Sequence, residues 1–193
     1  QDLDILIRSA QTNLRAGRLS ENRLLPYTDV TALVYGGLRS LLDTQVAPAR
    51  RSAAVVRLRK YGGLVQGYEP ITVQAMRLTR ARRAIVDLLP PARPQVERDL
   101  ANSPILIQGL EKLFDEYKID GWRDPFATLK QQLNDYQQFV REEILPKART
   151  DFRLPADLYA LSLEQVGVTL QPEPLAAMAR QASMARSSIP ASS

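Results

Sequence analysis

Apolar residues recur along this chain at helical spacing, and no stretch alternates strictly between apolar and polar. Residues 2–18 place Leu3, Ile5, Leu6, Ile7, Ala10 and Leu14 in a helical pattern, with Gly17 helping to stop it. Leu24–Thr28 reads as a loop, and Asp29 is placed to cap a helix running to Leu42, with the Gly36-Gly37 pair inside it. Such a pair predicts the close approach of another backbone. Pro48 opens a helix that Gly62-Gly63 closes after Tyr61, and 67–70 is a turn. A long helix is predicted from Ile71 to Leu89, stopped by Pro90-Pro91, with Ile71, Ala75, Leu78, Ala81, Ile85, Leu88 and Leu89 on its apolar face.

The second half is punctuated by proline. Pro94 predicts a short helix to about Ala101. Ser103-Pro104 then reads as a cap followed by proline in the first turn of a helix that buries Leu106, Ile107, Leu110, Leu113, Phe114 and Tyr117 and ends before Gly121. Asp124-Pro125 repeats the device. The helix it opens has the cleanest stripe in the chain, Phe126, Leu129, Leu133, Tyr136, Val140 and Ile144, within about 80° of arc at ~100° per residue. Gln132 falls off that stripe and is predicted to be exposed. Pro146 ends the helix, Pro155 starts another to Val166, and Pro172 or Pro174 starts a last one to about Ala185. The pattern predicts an all-α fold of eight to nine helices joined by short Pro/Gly-punctuated loops. It predicts a single helical domain or fragment over 1–185 with a flexible tail, 186–193.

Composition sharpens the picture by what is missing. The 193 residues include no histidine and no cysteine. That removes the usual borderline and soft metal ligands, the usual general base and the usual thiol nucleophile. Only a carboxylate metal site would be available, yet Asp115, Glu116, Asp120 and Asp124 do not follow a calcium-loop spacing, and the adjacent Glu142 and Glu143 point about 100° apart on a helix. No Gly-x-Ser-x-Gly elbow and no glycine-rich phosphate loop is present. No apolar run approaches the ~18 residues of a membrane span.

The net charge of +5 is uneven. Residues 49–86 hold nine Lys or Arg against the single acid Glu69, a balance of +8. Arg57, Arg77, Arg80, Arg82 and Arg83 are the candidate anion-binding residues of this block, with Tyr61 and Tyr68 interleaved. Arg82, at the edge of the predicted apolar face, has the placement either to clamp a carboxylate or to meet an internal acid. The same charges also suit a solvated face paired with acids, among them Asp87, four residues after Arg83.

Residues 135–178 carry a more specific pattern. Leu145-Pro146-Lys147 ends a long helix, and Asp151-Phe152-Arg153-Leu154 forms an acid-bearing loop. Leu158-Tyr159 and Leu163 lie on the next helix, and Gln171-Pro172-Glu173-Pro174-Leu175 opens the one after. Together with DLDILI at 2–7, LLPYTDV at 24–30 and YGGLVQGYEP at 61–70, this resembles the bacterial domain-of-unknown-function family 885. The family is similar to zincin-type zinc metallopeptidases. Its metal motif, His-Glu-x-x-Pro-Gly-His on a helix, lies downstream of this kind of region, with imidazoles on zinc and the glutamate as general base.

No catalytic or metal residue of the family maps onto this chain, which has neither histidine. The resemblance therefore implies the helical, non-catalytic N-terminal region of a longer polypeptide. It would be a wall of the substrate cleft, partnered by the remainder of that polypeptide, with zinc belonging to the full-length family and no cofactor to this chain. Membership also implies a periplasmic or cell-envelope location. The alternative reading, from charge alone, is a stand-alone helical module that binds an anionic partner through residues 49–86.

Overall fold

A computed structural model describes residues 2–85 and 87–168, together with Pro174, Met178 and Gln181. Among these residues there are seven α-helices of two turns or more and no β-strand, only two isolated bridges, Leu24 with Leu89 and Ala92 with Arg149. The helices are α1 (Asp2–Arg23), α2 (Val30–Arg39), α3 (Ala53–Tyr61), α4 (Ile71–Arg82), α5 (Arg93–Glu116), α6 (Arg123–Phe139) and α7 (Ala156–Gln165). The fold is all-α, with fewer helices than the eight or nine predicted. One reason is a fusion: the helices predicted at 94–101 and from 103 onward are the single helix α5, with Pro104 inside it. Of the helix predicted to run to Ala185, only Pro174, Met178 and Gln181 are described, each helical, and the tail 186–193 lies outside the described residues.

The described residues fall into two compact units, residues 2–23 with 153–168 and residues 24–152. In the first, α1 and α7 run antiparallel. Arg23 donates to Asp157 through Nε at 3.1 Å and Nη2 at 2.8 Å, Arg15 pairs with Glu164, and Gln165 Nε2 donates to Asn13 at 2.9 Å. Gly17 does not stop α1, which continues to Arg23. Leu3, Ile5, Leu6, Ile7 and Leu14 are all exposed, so among the described residues the apolar pattern of this helix marks no buried face.

The second unit holds the large core. Val30, Val34 and Leu38 of α2, Leu58 of α3, Val96, Leu110 and Phe114 of α5, and Leu129 and Leu133 of α6 are fully buried together. All six residues of the predicted α6 stripe are buried. Lys118 and Gly121, both at positive φ, turn the chain between α5 and α6. The turn stacks Phe114 on Trp122 at 5.1 Å and sets Trp122 edge-on to Phe126 at 5.4 Å.

Several local expectations are overridden by packing. Asp124 is not the cap of α6; Trp122 precedes its first residue, and the α-helix gives way to a π turn at Val140–Ile144 and a 3-10 turn at Leu145–Lys147. Asp29 does cap α2, accepting from Ala32 N at 3.0 Å, but α2 ends at Arg39. The 48–61 helix breaks at Ser52 into a single turn, Pro48–Arg51, and α3. Gly63, at φ +69°, closes α3 with the Pro70 ring where a Cβ would sit. Gly37 admits the Tyr61 hydroxyl rather than a neighbouring backbone.

The α4 face is the largest correction. The helix ends at Arg82, and Leu78, Ala81, Ile85 and Leu89 are exposed. Its fully buried residues are Thr72 and Thr79. The Thr79 hydroxyl reaches the Pro26 carbonyl at 2.7 Å and the Ala75 carbonyl at 3.1 Å, so burial leaves it satisfied.

Candidate functional site

Four of the five candidate arginines of the basic block are held by acceptors within the second unit. Arg57, on α3, donates through Nη1 to the Gly37 carbonyl at 2.6 Å and to Ser40 Oγ at 3.3 Å. Arg77 forms a forked pair with Glu69, Nη1 to Oε1 at 3.0 Å and Nη2 to Oε2 at 2.9 Å. Arg80 and Arg83 converge on one carboxylate: Nη2 of each lies 2.6 Å from Glu143, Arg80 on Oε1 and Arg83 on Oε2. The Arg80 guanidinium also lies 5.0 Å above the Phe139 ring. Arg82 is half-buried at the end of α4.

The structure thus brings Arg80 and Arg83 together, places Arg77 a turn away on its own acid, and puts Arg57 on another helix facing α2. Arg83 meets Glu143 rather than Asp87, because α4 ends before the pairing that helical spacing would give. Two guanidinium hydrogen bonds, Arg80's first, hold the Glu143 carboxyl below its usual range despite some desolvation. Glu143 sits in the π turn, which aims its carboxylate back at α4.

A second polar constellation lies where the loop before α2, the middle of α5 and the end of α6 meet. Tyr27 donates to Asp99 Oδ2 at 3.1 Å, and Tyr136 donates to the Thr28 carbonyl at 2.7 Å. Thr31 and Ser103, both buried, share a hydrogen bond of 2.7 Å. Burial, and the charge of nearby Asp29, push the Asp99 carboxyl above its ordinary value; Tyr27's hydrogen bond and Arg98 oppose this. Burial raises both phenols, and Asp99 raises Tyr27 further. Tyr27 and Tyr136 are therefore neutral near pH 7.

This constellation was not legible in the sequence. Ser103 carries a capping signature, and Tyr27 and Asp29 read as a loop and its cap. The cleft beside the constellation has a volume of about 10 Å³, too small for a substrate. In the first unit a larger cleft of about 370 Å³ is lined by Ile5, Arg8, Thr12, Asn13, Glu164 and Gln165, among others.

The zinc implied by the resemblance finds no fit here. The chain has no imidazole or thiolate, and among the described residues no group of three or more acidic side chains is clustered to hold a metal. Among the same residues no helix is long and apolar enough to cross a membrane. No protein-family model matches the chain, and neither a curated protein nor a solved structure does.

Proposed function

We propose that this chain is a non-catalytic helical scaffold, the region that walls the substrate cleft in a zincin-type peptidase of the resembled family, with no hydrolytic activity of its own. The observation that carries the reading is the engagement of four of the five candidate arginines by internal acceptors, Arg57 on Gly37, Arg77 on Glu69, and Arg80 and Arg83 on Glu143. A guanidinium fork already occupied by a carboxylate must break that pair to receive an external anion. In this role the block's charge orders the fold.

The test is binding of duplex DNA and of anionic vesicles at ~0.15 M salt, where charges are screened beyond ~8 Å. The scaffold reading expects weak association at low salt only. Micromolar binding at physiological salt, with the steep salt dependence of counterion release, would move the assignment to a module for an anionic partner. Calorimetry with zinc is expected to show no tight one-to-one binding. The peptidase half of the reading is checked by following the encoding reading frame past Ser193: a His-Glu helix is expected there, and a stop codon without one overturns it.

A further inference from the structure

The apolar residues of α1 follow a heptad. Leu3, Ile7, Ala10, Leu14 and Gly17 succeed one another at steps of four and three, the spacing of a helix that packs on another along a narrow seam. The seam faces outward: Leu3 is 67% exposed, Ile7 46% and Leu14 56%, and Leu6 beside them is 66% exposed. The side of α1 that meets α7 is a different one. Thr12 is buried and donates to Glu164 Oε1 at 3.3 Å, and Arg23 holds Asp157. At ~100° per residue, both lie about 100° or more around the helix from every residue of the seam. Helix α1 therefore spends its polar side on α7 and presents its apolar side away from it.

Charge on the flanks of the seam selects the occupant. Asp4 and Arg18 are two heptads apart and lie on one flank, with Gln11 between them; the other flank carries Leu6, Asn13 and Ser20 and no charge. When two copies of such a helix run antiparallel, each flank meets itself, and Asp4 of one copy faces Arg18 of the other, twice over. In a parallel pair the charged flank meets the uncharged one, and the complementarity is lost. The antiparallel order also matches sizes. It sets Leu3 on Leu14 and Ile7 on Ala10 of the second copy, and leaves Glu21, the next heptad position, beyond the overlap. A parallel pair stacks Ala10 on Ala10 and buries Glu21 against Glu21. We propose that α1 is a self-association surface, on which a second copy of this chain docks antiparallel through Leu3, Ile7, Ala10 and Leu14. The overlap of residues 3–14 is about 18 Å long at the helical rise per residue, so the interface is small and the dimer weak, in the micromolar range.

Sedimentation equilibrium on the whole chain tests this. Between about 1 and about 200 µM the apparent mass is expected to rise from 21.6 kDa toward twice that value. A chain that stays monomeric at the upper concentration overturns the proposal, and the seam then belongs to another segment or another protein. Leu14→Glu changes an exposed position, so the fold should survive, as far-ultraviolet circular dichroism would show, while association is lost throughout the range. A dimer that persists in Leu14→Glu overturns α1 as the surface. Asp4→Arg and Arg18→Asp should each weaken association about three- to tenfold, since each removes both symmetry-related ion pairs, and the double variant should restore it. A double variant that associates no more tightly than the single ones overturns the antiparallel order.

Discussion

Arg57 Nη1 lies 2.6 Å from the carbonyl oxygen of Gly37, in the last turn of α2. The backbone bonds at that end go elsewhere: Leu41 N and Leu42 N both donate to Leu38. Gly37's carbonyl is instead satisfied by Ser40 Oγ, at 2.9 Å, and by the guanidinium. A cation on an orphan carbonyl at a helix C-terminus also suits the helix dipole. Arg57→Met keeps the aliphatic stem and removes the cap, and is expected to cost about 1 kcal/mol. Arg59→Met, on the exposed side of the same helix, should stay within about ±0.5 kcal/mol. Urea melts of the two variants decide; equal losses would remove the capping role.

Glu143 is the next test, because two arginines depend on it. Glu143→Gln leaves both guanidiniums with a weaker acceptor and is expected to cost about 1 kcal/mol, the upper range for a partly exposed pair. The pH dependence has a definite sign. The folded-state carboxyl is held below its ordinary ~4.3, so its contribution is full above that value and disappears as pH falls through the lowered one. The stability gap between the wild type and Glu143→Gln should therefore be constant near neutrality and close in acid. Reversing Arg77, Arg80 and Arg83 to Glu would set three new acids beside Glu69 and Glu143. Helical spacing alone would make these arginines dispensable to folding. The ion pairs predict a clear loss of stability, measurable as a lowered Tm.

The α6 stripe was the most legible element, and it supplies a clean contrast. Leu133 is fully buried in the core of the second unit, so Leu133→Ala should cost ~2–5 kcal/mol. The neighbouring Gln132, expected to be exposed, is half-buried and donates to the Gly62 carbonyl at 3.1 Å, so it cannot serve as a neutral control. Asn134, exposed on the same helix, can, and Asn134→Ala is expected within about ±0.5 kcal/mol. Comparable losses at 133 and 134 in urea melts would show the stripe to be misplaced.

Other elements were hidden for physical reasons. Periodicity records which residues are apolar, but α4 buries two threonines, Thr72 and Thr79, and the Thr79 hydroxyl is satisfied by two carbonyls, one of them 53 positions away. The serine-proline and aspartate-proline pairs read as helix starts. At 103–104 the flanking packing is strong enough to carry a helix through the proline, and at 124–125 the helix begins two residues earlier. The partners of the basic block were equally invisible, since Glu143 is 63 residues from Arg80 and is brought to it only by α6 packing on α4. In α1 the pattern was present and its consequence was not: a helical array of large apolar residues is exposed among the described residues.

Asp99 gives the last prediction, with a sign opposite to that of Glu143. Burial and the Asp29 charge raise its pKa above the ordinary ~3.9, so the folded protein binds this proton more tightly than the unfolded chain does. Stability from this group is therefore greatest below the ordinary value and is lost as pH rises through the raised one. At pH 7 the ionised carboxylate is a net burden that persists because it accepts the Tyr27 hydroxyl. Asparagine keeps an oxygen for that hydroxyl and removes the charge. The contact it gives up to Arg98 is long, at 3.8 Å. Asp99→Asn should thus be at least as stable as the wild type at pH 7, and any advantage should shrink as pH falls and the wild-type carboxyl takes up its proton. Asp99→Ala removes the acceptor as well, leaves the Tyr27 hydroxyl without its partner, and should cost about 1–3 kcal/mol. Thermal melts of the three proteins between pH 7 and pH 4 measure both effects. If Asn were as damaging as Ala at pH 7, the carboxylate charge would be stabilising, and the assigned direction of the Asp99 shift would be wrong.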